Sequence, residues 1–200
     1  GRVCHSAKDR GLYLSILLKQ EQSTAQLNKV TALSALALQR AVMESCGLLT
    51  QIKWVNDLLL DGRKICGILT EASLDLEPGS PESVILGVGV NLYSAGFPEA
   101  LQPLAGALYQ KLPQGMTRGR FAAGLRAALL DLSSQCIQPW VIQEYRARCP
   151  MVGQTVQIVG SGRQGVVEAI TDQCGLRLRF ADGTEEALQS GEVRVRPVAG

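Results

Sequence analysis

The chain has 200 residues, of which 46% are hydrophobic, and it carries a formal net charge of +2. This length suffices for one medium-sized domain with a buried core and for a smaller second domain. A charge so close to neutral provides no strong field for polyanions or membrane surfaces, so the composition offers nucleic-acid binding no support. The apolar runs are too short for a membrane span, and residues 1–20 lack the order of a signal peptide. We therefore expect a cytoplasmic protein with no membrane partner.

The cysteines and the histidine argue against several kinds of chemistry. Six cysteines lie along the chain without a CxxC pair, and His5 is the single histidine, which is poor spacing for a zinc site or a disulfide framework. No Ser-His-Asp set is credible, and no base is evident for a cysteine nucleophile, so covalent acyl-enzyme chemistry is not expected. We interpret the cysteines as reduced packing thiols. They are Cys4, Cys46, Cys66, Cys136, Cys149 and Cys174.

The first elements along the chain are a strand and a helix. Residues 11–20 form a continuous apolar run that is typical of a strand buried on both faces. Residues 28–47 are good helix formers and are apolar all round, which predicts a largely buried helix. Asn28 suits the N-cap of this helix, and Gly47 stands where the helix would end.

A hairpin follows and contains a lysine next to a tryptophan. The Asp-Gly pair at 61–62 predicts a type I′ turn between two antiparallel strands in the segment 51–73. Lys53 and Trp54 precede it, and one side chain of this pair must face a covered region. A partly buried ammonium group needs an acceptor. Either a bound carboxylate, phosphate or ureido oxygen or a protein carboxylate, Glu71 or Asp57, would serve.

The residues between Trp54 and the turn have a simpler interpretation. Asn56 and Asp57 are typical turn formers, because their side chains bond nearby backbone groups. We favour this structural role for Asn56.

Residues 83–91, SVILGVGVN, predict another buried strand. Gly87 and Gly89 have no side chain to pack, which indicates that a ligand or another backbone approaches closely. The segment is not a dinucleotide-binding fingerprint, because Leu92 stands where the third glycine should be, and no P-loop motif occurs in the sequence. Asn91 would either bond the edge of a ligand ring or cap the strand end.

The second half of the chain predicts two helices followed by a series of short strands. Residues 99–111 predict a short helix, and a second one starts near Thr117 and ends at Pro139. Beyond Pro150, short strand-like runs separated by glycines predict a small barrel with a hairpin at 182–183. The apolar face of the second helix comprises Phe121, Leu125, Ala128, Leu129, Leu132 and Cys136, and the five runs are TVQIV, GVVEAI, LRLRF, EEAL and EVRVR.

Three segments together resemble the biotin protein ligase family: KWVNDLLLDGRKICGILTE, GVGVN and the opening GRVCHSAKDRGLYLSILL. The family pattern K-W-[PV]-N-D, a hairpin, G-I-L-x-E and G-x-G-x-N occurs here in order. The resemblance implies an α+β fold, in which a mixed β-sheet of the class II synthetase-like ligase type is flanked by helices and followed by a small SH3-like β-barrel. It places the catalytic domain at residues 1–148, with its N-terminal part missing, and the SH3-like domain at 150–200.

The resemblance implies a two-step reaction. Biotin and ATP, with Mg²⁺ on the nucleotide, give biotinyl-5′-AMP, and a lysine of the biotin carboxyl carrier protein of acetyl-CoA carboxylase then takes the biotinyl group. Lys53 matches the family's lysine that contacts biotin and the acyl-phosphate, and is the implied catalytic residue. Gly67, Gly87 and Gly89 are the implied biotin-binding positions, and Asn91 matches the adenine contact.

The opening of the chain departs from the family pattern. The family's ligand loop has the form G-R-G-R-x-G-R followed by an aromatic residue. Gly1 and Arg2 correspond to its last two positions, and Cys4 stands at the aromatic position. We expect the chain to begin inside this loop, with Arg2 as its adenylate contact, which leaves open whether the chain is active alone. We expect no nucleic-acid partner, because no helix-turn-helix is present, and a homodimer is one expected assembly.

Two other functions stay open. One is a lipoate or octanoate ligase or transferase on the same scaffold, although K-W-x-N-D followed by G-I-L-x-E favours biotin. The other is a non-catalytic remnant that acts as a binding or dimerisation module, which Cys4 and the missing arginines favour.

Overall fold

The computed structural model describes residues 10–18, 27–74, 81–93, 97–109, 115–133, 138–189 and 194–197. These residues form two five-stranded sheets and three α-helices, which confirms the α+β fold class. In chain order the elements are β1 (Gly11–Leu18), α1 (Leu27–Cys46), β2 (Gln51–Lys53), β3 (Asp57–Leu60), β4 (Arg63–Leu74), β5 (Pro81–Asn91), α2 (Arg118–Ser133), α3 (Pro139–Arg148), β6 (Thr155–Val159), β7 (Gln164–Ile170), β8 (Leu176–Phe180), β9 (Glu185–Leu188) and β10 (Arg194–Pro197). None of the helices in these ranges combines the length and apolar character that crossing a bilayer requires.

The first sheet has the strand order β1-β5-β4-β3-β2, and its strand pairs are antiparallel. Parallel pairing among the described residues consists of two isolated bridges, Lys64 with Ala105 and Tyr93 with Tyr109. The predicted mixed sheet is therefore mixed only through these bridges. Helix α1 packs against β4 and α2, so one face of the sheet is covered.

Strand β1 is half-buried, and the prediction that both of its faces are buried was wrong. Tyr13 and Leu17 are 57% and 60% exposed, whereas the alternate residues Leu12, Leu14 and Ile16 pack against the core. Successive side chains of a strand point to opposite faces. The continuous apolar run therefore places half of its side chains on the open face of the sheet.

Helix α1 is largely buried, as predicted. Its residues from Val30 to Gln39 are all buried. Gly47 adopts φ +67° and its N–H donates to the carbonyl of Met43 over 2.8 Å, which confirms the predicted helix end. The helix begins at Leu27, so Asn28 lies in its first turn, and the N-cap assignment was wrong.

The predicted type I′ turn at 61–62 is confirmed. Asp61 and Gly62 have φ of +50° and +74°, and Leu60 pairs with Arg63 on either side of them. The segment holds three strands rather than the two predicted, because a turn at residues 54–56 separates β2 from β3. Lys53 is consequently the last residue of a three-residue strand.

The helix predicted at 99–111 was wrong beyond its first turn. Glu99–Leu101 form a 3₁₀ turn after Pro98. The N–H of Lys64 then donates to Leu104 over 2.8 Å, and the N–H of Gly106 donates to Lys64 over 2.8 Å. These bonds align residues 104–106 with β4 in place of a continued helix, and positions 110–114 lie outside the described residues.

Helix α2 matches its prediction at the start and along its apolar face. The N–H of Arg120 bonds to Oγ1 of Thr117 over 3.1 Å, so Thr117 caps the helix. Phe121, Leu125, Ala128 and Leu129 are buried, whereas the side chains of the predicted face members Leu132 and Cys136 lie outside the described part of the chain.

Helix α3 was not predicted. Pro139 begins this helix rather than ending the previous one, because a proline in the first turn needs no N–H partner.

All five strands predicted after residue 150 are present. They form an antiparallel sheet in the order β10-β6-β7-β8-β9. The hairpin at 182–183 is confirmed, with Gly183 at φ +83° and its N–H donating to Phe180 over 3.0 Å. Val156, Val167 and Leu176 of this sheet belong to the same hydrophobic cluster as the core of the first sheet.

Four cysteines lie within the described residues, and all four are free thiols. Cys66, Cys149 and Cys174 are buried and Cys46 is half-buried, which confirms the packing interpretation for these positions. Cys4 and Cys136 lie outside the described residues.

Candidate functional site

The strand register places three of the predicted site residues, Lys53, Gly67 and Gly89, on one line across the first sheet. Lys53 pairs with Asp57, Asp57 with Gly67, Gly67 with Gly89, and Gly89 with Tyr13. We call these five residues the cross-strand row. Its flanking residues, such as Ile52, Leu58, Cys66 and Val90, are buried on the side that faces the helices. The row therefore lies on the open face of the sheet.

Lys53 is half-buried at the end of this row. Within the described part of the chain its ammonium group forms no ion pair. Asp57, one of the two carboxylates considered as its partner, instead pairs with Lys64, with 2.6 Å between Nζ and Oδ1. Glu71, the other, lies four residues beyond Gly67 on β4 and is exposed. Neither carboxylate is thus the partner of Lys53.

The turn that follows Lys53 is held by residues far along the chain. Trp54 is buried, as expected for one member of the pair, and its indole Nε1–H donates to the carbonyl of Cys174 over 2.7 Å. Its backbone N–H lies 3.3 Å from Sδ of Met151. The hydroxyl of Tyr145 donates to the carbonyl of Val55 over 3.0 Å. Helix α3 and the second sheet therefore position the turn beside Lys53.

Asn56 closes the same turn against β4. Its Nδ2 donates to the carbonyl of Ile68 over 2.6 Å, and the N–H of Ile68 donates to the carbonyl of Asn56 over 2.9 Å. This reciprocal pair agrees with the structural role favoured from the sequence.

The three glycines of the open face differ in how much room they have. A Cβ at Gly89 would lie 3.4 Å from the ring of Tyr13, and one at Gly67 would lie 2.9 Å from Nζ of Lys64. A Cβ at Gly87 would meet its nearest atom, the carbonyl oxygen of Leu69, at 3.7 Å, which is ordinary contact. Packing within the described residues therefore does not require a glycine at 87. Close approach of a ligand to this strand would require a glycine at 87.

A cavity of about 360 Å³ opens at one end of the row. Gly67 and Gly89 form the floor of this cavity, which we call the glycine floor together with Gly87 beside them. One amide, one ammonium group and several apolar side chains complete the lining, which is the usual composition of a small-molecule site. Lys53 does not line it. The described lining residues are Tyr13, Lys64, Cys66, Gly67, Gly89, Asn91, Phe97, Leu101, Leu104 and Ala105.

Asn91 links the end of β5 to the roof of the cavity, which Leu104 and Ala105 form. Its Nδ2 donates to the carbonyl of Gly106 over 2.9 Å and lies 3.5 Å from the carbonyl of Lys64. The N–H of Leu108 in turn donates to the carbonyl of Asn91 over 3.0 Å. Asn91 thus caps the strand end, as one of its two interpretations held, and it also faces the cavity.

The thiol of Cys66 in the cavity wall is held in its neutral form. Burial and the nearby carboxylate of Asp57 raise its pKa well above the usual value, although Lys64 acts in the opposite direction. A thiol without thiolate character is a poor nucleophile. This agrees with the expectation that no covalent cysteine chemistry takes place.

Sequence reasoning missed several residues of the cavity, above all Lys64 and Phe97. For Lys64 the hairpin gave no direct signal, because its register pairs Lys64 with Leu59 and Asp57 with Gly67. No local pattern marks Phe97, which depends on how residues 97–109 fold back. Arg2, the expected adenylate contact, lies outside the described residues. Within the described ranges, no group of three or more His, Cys, Asp or Glu side chains is arranged to hold a metal ion.

Solved structures share this fold. A biotin protein ligase from Aquifex aeolicus superimposes with a TM-score of 0.79 at 21% identity, over 94% of this chain and 82% of that one. The same enzyme in complex with biotin and ATP gives a TM-score of 0.78, over 94% of this chain and 79% of that one. At such low identity the likeness shows the fold alone.

Sequence relatives show the family. Residues 1–91 match the biotin/lipoate A/B protein ligase family. A bifunctional ligase/repressor BirA of Bacillus subtilis is 34% identical over 119 residues, which are 58% of this chain and 36% of that protein. A biotin–[acetyl-CoA-carboxylase] ligase of Paracoccus denitrificans is 30% identical over 195 residues, which are 90% of this chain and 78% of that protein. The chain thus spans about a third of the length of the first relative and about three quarters of the second. It belongs to the biotin/lipoate A/B protein ligase family.

Proposed function

We propose that the protein ligates biotin to a lysine of the biotin carboxyl carrier protein of acetyl-CoA carboxylase, using ATP and passing through biotinyl-5′-AMP. The observation that carries this proposal is the cross-strand row, which sets Lys53 in line with Gly67 and Gly89 on the open face of the sheet. The Paracoccus denitrificans relative is named as a biotin–[acetyl-CoA-carboxylase] ligase, and the similar Aquifex aeolicus enzyme was solved with biotin and ATP.

Lys53 is proposed to stabilise the charge that develops in the first step. A carboxylate oxygen of biotin attacks the α-phosphorus of ATP, and pyrophosphate leaves with the electron pair of the broken bond. Lys53 is half-buried and its ammonium group has no ion-pair partner among the described residues, so the group is available to the carboxylate and the α-phosphate. Removing one such preorganised donor typically costs about 3–4 kcal/mol of transition-state stabilisation.

The glycines are proposed to form the floor under biotin. Gly67, Gly87 and Gly89 present backbone without side chains on the open face, so a flat ring system can approach the strands closely. Asn91 is proposed to bond adenine from the cavity wall, and Arg2 is proposed to contact the adenylate.

Magnesium is proposed to arrive with the nucleotide. Mg²⁺ keeps several waters and binds ATP mainly through phosphate oxygens. Asp57, the carboxylate of the row, is occupied by Lys64 at 2.6 Å, which fits a metal held by substrate rather than by a protein cage.

We also propose a division into a catalytic domain, residues 1–148, and an SH3-like domain, residues 150–200. The separate second sheet supports this division.

A cytoplasmic location, a homodimer and the lack of a nucleic-acid partner for this chain stay predictions. Free buried thiols at Cys66, Cys149 and Cys174 are in keeping with a reducing compartment.

The test is biotin transfer to purified carrier protein by the parent protein and its Lys53→Ala variant. We expect Lys53→Ala to lower the rate about 100- to 1,000-fold. Lys29→Ala is the matched control, because Lys29 lies on α1, which packs on the covered side of the sheet. Equal rates for Lys53→Ala and the parent would refute the role of Lys53.

Competition with lipoate and octanoate in the same assay addresses the other acyl acids that this family handles. We expect neither to slow biotin transfer at equal concentration. A parent protein that transfers lipoate or octanoate and not biotin would replace the proposal with its closest alternative, and a parent that binds none of the three would favour a non-catalytic module.

A further inference from the structure

Lys64 is the charged residue among the described residues that line the cavity. The other lining groups are glycines, an amide, a thiol, two aromatic rings and aliphatic side chains. An ammonium group beside apolar walls interacts more strongly with an anion than it would in open solvent. The cavity therefore favours a ligand with an aromatic or apolar part and an anionic part that reaches Lys64.

The ion pair with Asp57 does not by itself explain why a lysine occupies position 64. The two side chains are 42% and 20% exposed, and pairs with this much solvent contact contribute little to stability. Asp57 is also the cross-strand neighbour of Lys53. Lys64 neutralises Asp57, so Lys53 adds a positive charge at this end of the row that no ion pair among the described residues balances.

The position of the Lys64 side chain is more specific than its pairing. Its Nζ and Cε lie 2.9 and 3.1 Å from the place where a Cβ at Gly67 would be. The ammonium group therefore stands directly over the glycine floor. Any ligand that enters the row from the cavity must displace this group or bind it, and an anionic ligand binds it.

The backbone of Lys64 is fixed by two hydrogen bonds. Its N–H donates to the carbonyl of Leu104 and its carbonyl accepts from the N–H of Gly106, both over 2.8 Å. Leu104 lines the cavity, and Gly106 accepts the hydrogen bond from Asn91, another lining residue. The contacts that hold this segment therefore also fix the backbone from which the Lys64 side chain extends.

We propose that Lys64 binds the β- and γ-phosphates of ATP, and that Asp57 holds its ammonium group in reach while no nucleotide is bound. This inference rests on the proposed function. In the first step a bond forms between a biotin carboxylate oxygen and the α-phosphorus, and the bond from that phosphorus to the oxygen bridging to the β-phosphate breaks. Lys64 neutralises the charge that departs with pyrophosphate. The second step, in which the acceptor lysine attacks the acyl carbon and AMP leaves, involves no pyrophosphate.

The two steps can be measured separately in the parent protein. Biotin-dependent exchange of labelled pyrophosphate into ATP reports the first step, and transfer from supplied biotinyl-5′-AMP to carrier protein reports the second. We expect Lys64→Met to slow exchange about 100-fold, as loss of one preorganised donor does. Transfer from the supplied adenylate should stay within about twofold of the parent, because the transition state of this step contains no β-phosphate.

Two further variants make the result specific. Lys64→Arg keeps the positive charge and should restore most of the exchange, whereas a merely structural ion pair predicts no link between charge at 64 and the first step alone. Lys29→Met removes the same charge from α1 and should leave both steps unchanged.

Three results decide the matter. Normal exchange by Lys64→Met, or equal slowing of both steps, overturns the assignment of Lys64. A parent protein that transfers biotin from supplied adenylate yet shows no biotin-dependent exchange also overturns it. A parent that performs neither step removes the proposed function itself.

Discussion

The indole Nε1–H of Trp54 donates a 2.7 Å hydrogen bond to the carbonyl of Cys174, which lies 120 residues further along the chain. Cys174 belongs to the connection between β7 and β8, so this bond ties the turn after Lys53 to the second sheet. Tyr145 of α3 adds a second bond to the same turn through the carbonyl of Val55. The position of the proposed catalytic lysine therefore depends on residues outside the first sheet.

Trp54→Phe should destabilise the protein by about 1–3 kcal/mol, because the buried carbonyl of Cys174 loses its donor. The measurement is the free energy of unfolding from urea titration. Trp140→Phe is the matched control, since Trp140 is 37% exposed on α3 and should change stability by less than about 0.5 kcal/mol. Equal stability of the two variants would contradict the importance of this bond.

Tyr145→Phe should lower the free energy of unfolding by about 1–2 kcal/mol, because the carbonyl of Val55 loses its donor. Because both bonds hold one turn, the double variant Trp54→Phe/Tyr145→Phe should deviate from additivity by at least about 0.5 kcal/mol. A double-mutant cycle of urea midpoints measures this coupling. Strict additivity would mean that the two contacts act on separate parts of the fold.

Gly87→Ala should leave stability unchanged or raise it by up to about 1 kcal/mol, because its new methyl group has room and the unfolded chain loses freedom. Biotin affinity should nevertheless fall at least about tenfold, since the methyl group stands on the proposed floor and a clash of this kind easily costs about 1.4 kcal/mol. Thermal melts and calorimetric titration with biotin measure the two effects.

Gly124→Ala is the control for this substitution. A Cβ at Gly124 would lie 3.7 Å from its nearest atom, Oγ of Ser45, at the same separation as the nearest contact at Gly87 but on α2. Biotin affinity should not change in this variant. Unchanged affinity in Gly87→Ala as well would move the biotin site away from the glycine floor.

Asn91→Ala should weaken ATP binding about tenfold or more while leaving biotin binding nearly intact. The variant removes both the proposed adenine contact and the 2.9 Å bond to Gly106 that holds the cavity roof, and one such hydrogen bond contributes about 0.5–1.5 kcal/mol. Asn28→Ala, which breaks a 2.6 Å bond to Gln189 far along the chain, is the control. A larger loss of biotin affinity than of ATP affinity would contradict the assignment of Asn91.

Stability should fall as pH rises above 9. Burial raises the pKa of Cys174 from 9.0 to about 11 and that of Cys149 from 9.0 to about 12. Between these values the unfolded chain releases thiol protons that the folded chain keeps, so stability present below pH 9 is lost between pH 9 and about 11–12. Each thiol contributes a slope of up to about 1.4 kcal/mol per pH unit. Urea midpoints measured from pH 8 to 11 should show a shallower decline for Cys174→Ala than for the parent, and equal slopes would show that Cys174 does not titrate differently on folding.

Much of the fold follows from local patterns in the sequence. The Asp61-Gly62 turn, the glycine end of α1, the start of α2 near Thr117 and the five short strands after residue 150 were all predicted and confirmed. Each depends on interactions within a few residues, where turn chemistry and apolar periodicity have direct physical causes. The order of motifs likewise sufficed to identify the family.

Long-range contacts decided the rest. Residues 104–106 run beside β4 rather than continuing a helix because Leu104 and Gly106 bond to the backbone of Lys64, and this partner lies about forty residues away along the chain. Half of the apolar run in β1 is exposed because helices cover one face of the sheet, which the run itself does not specify.

The candidate site shows the same division. The sequence marked Lys53, the glycines and Asn91, because a motif keeps its residues at fixed spacing. That Lys53, Gly67 and Gly89 share one row, that Lys64 stands over Gly67, and that Trp54 reaches Cys174 depend on strand register and on the packing of two sheets. Register depends on which faces are buried, and a shift by one residue would turn each side chain to the opposite face of the sheet.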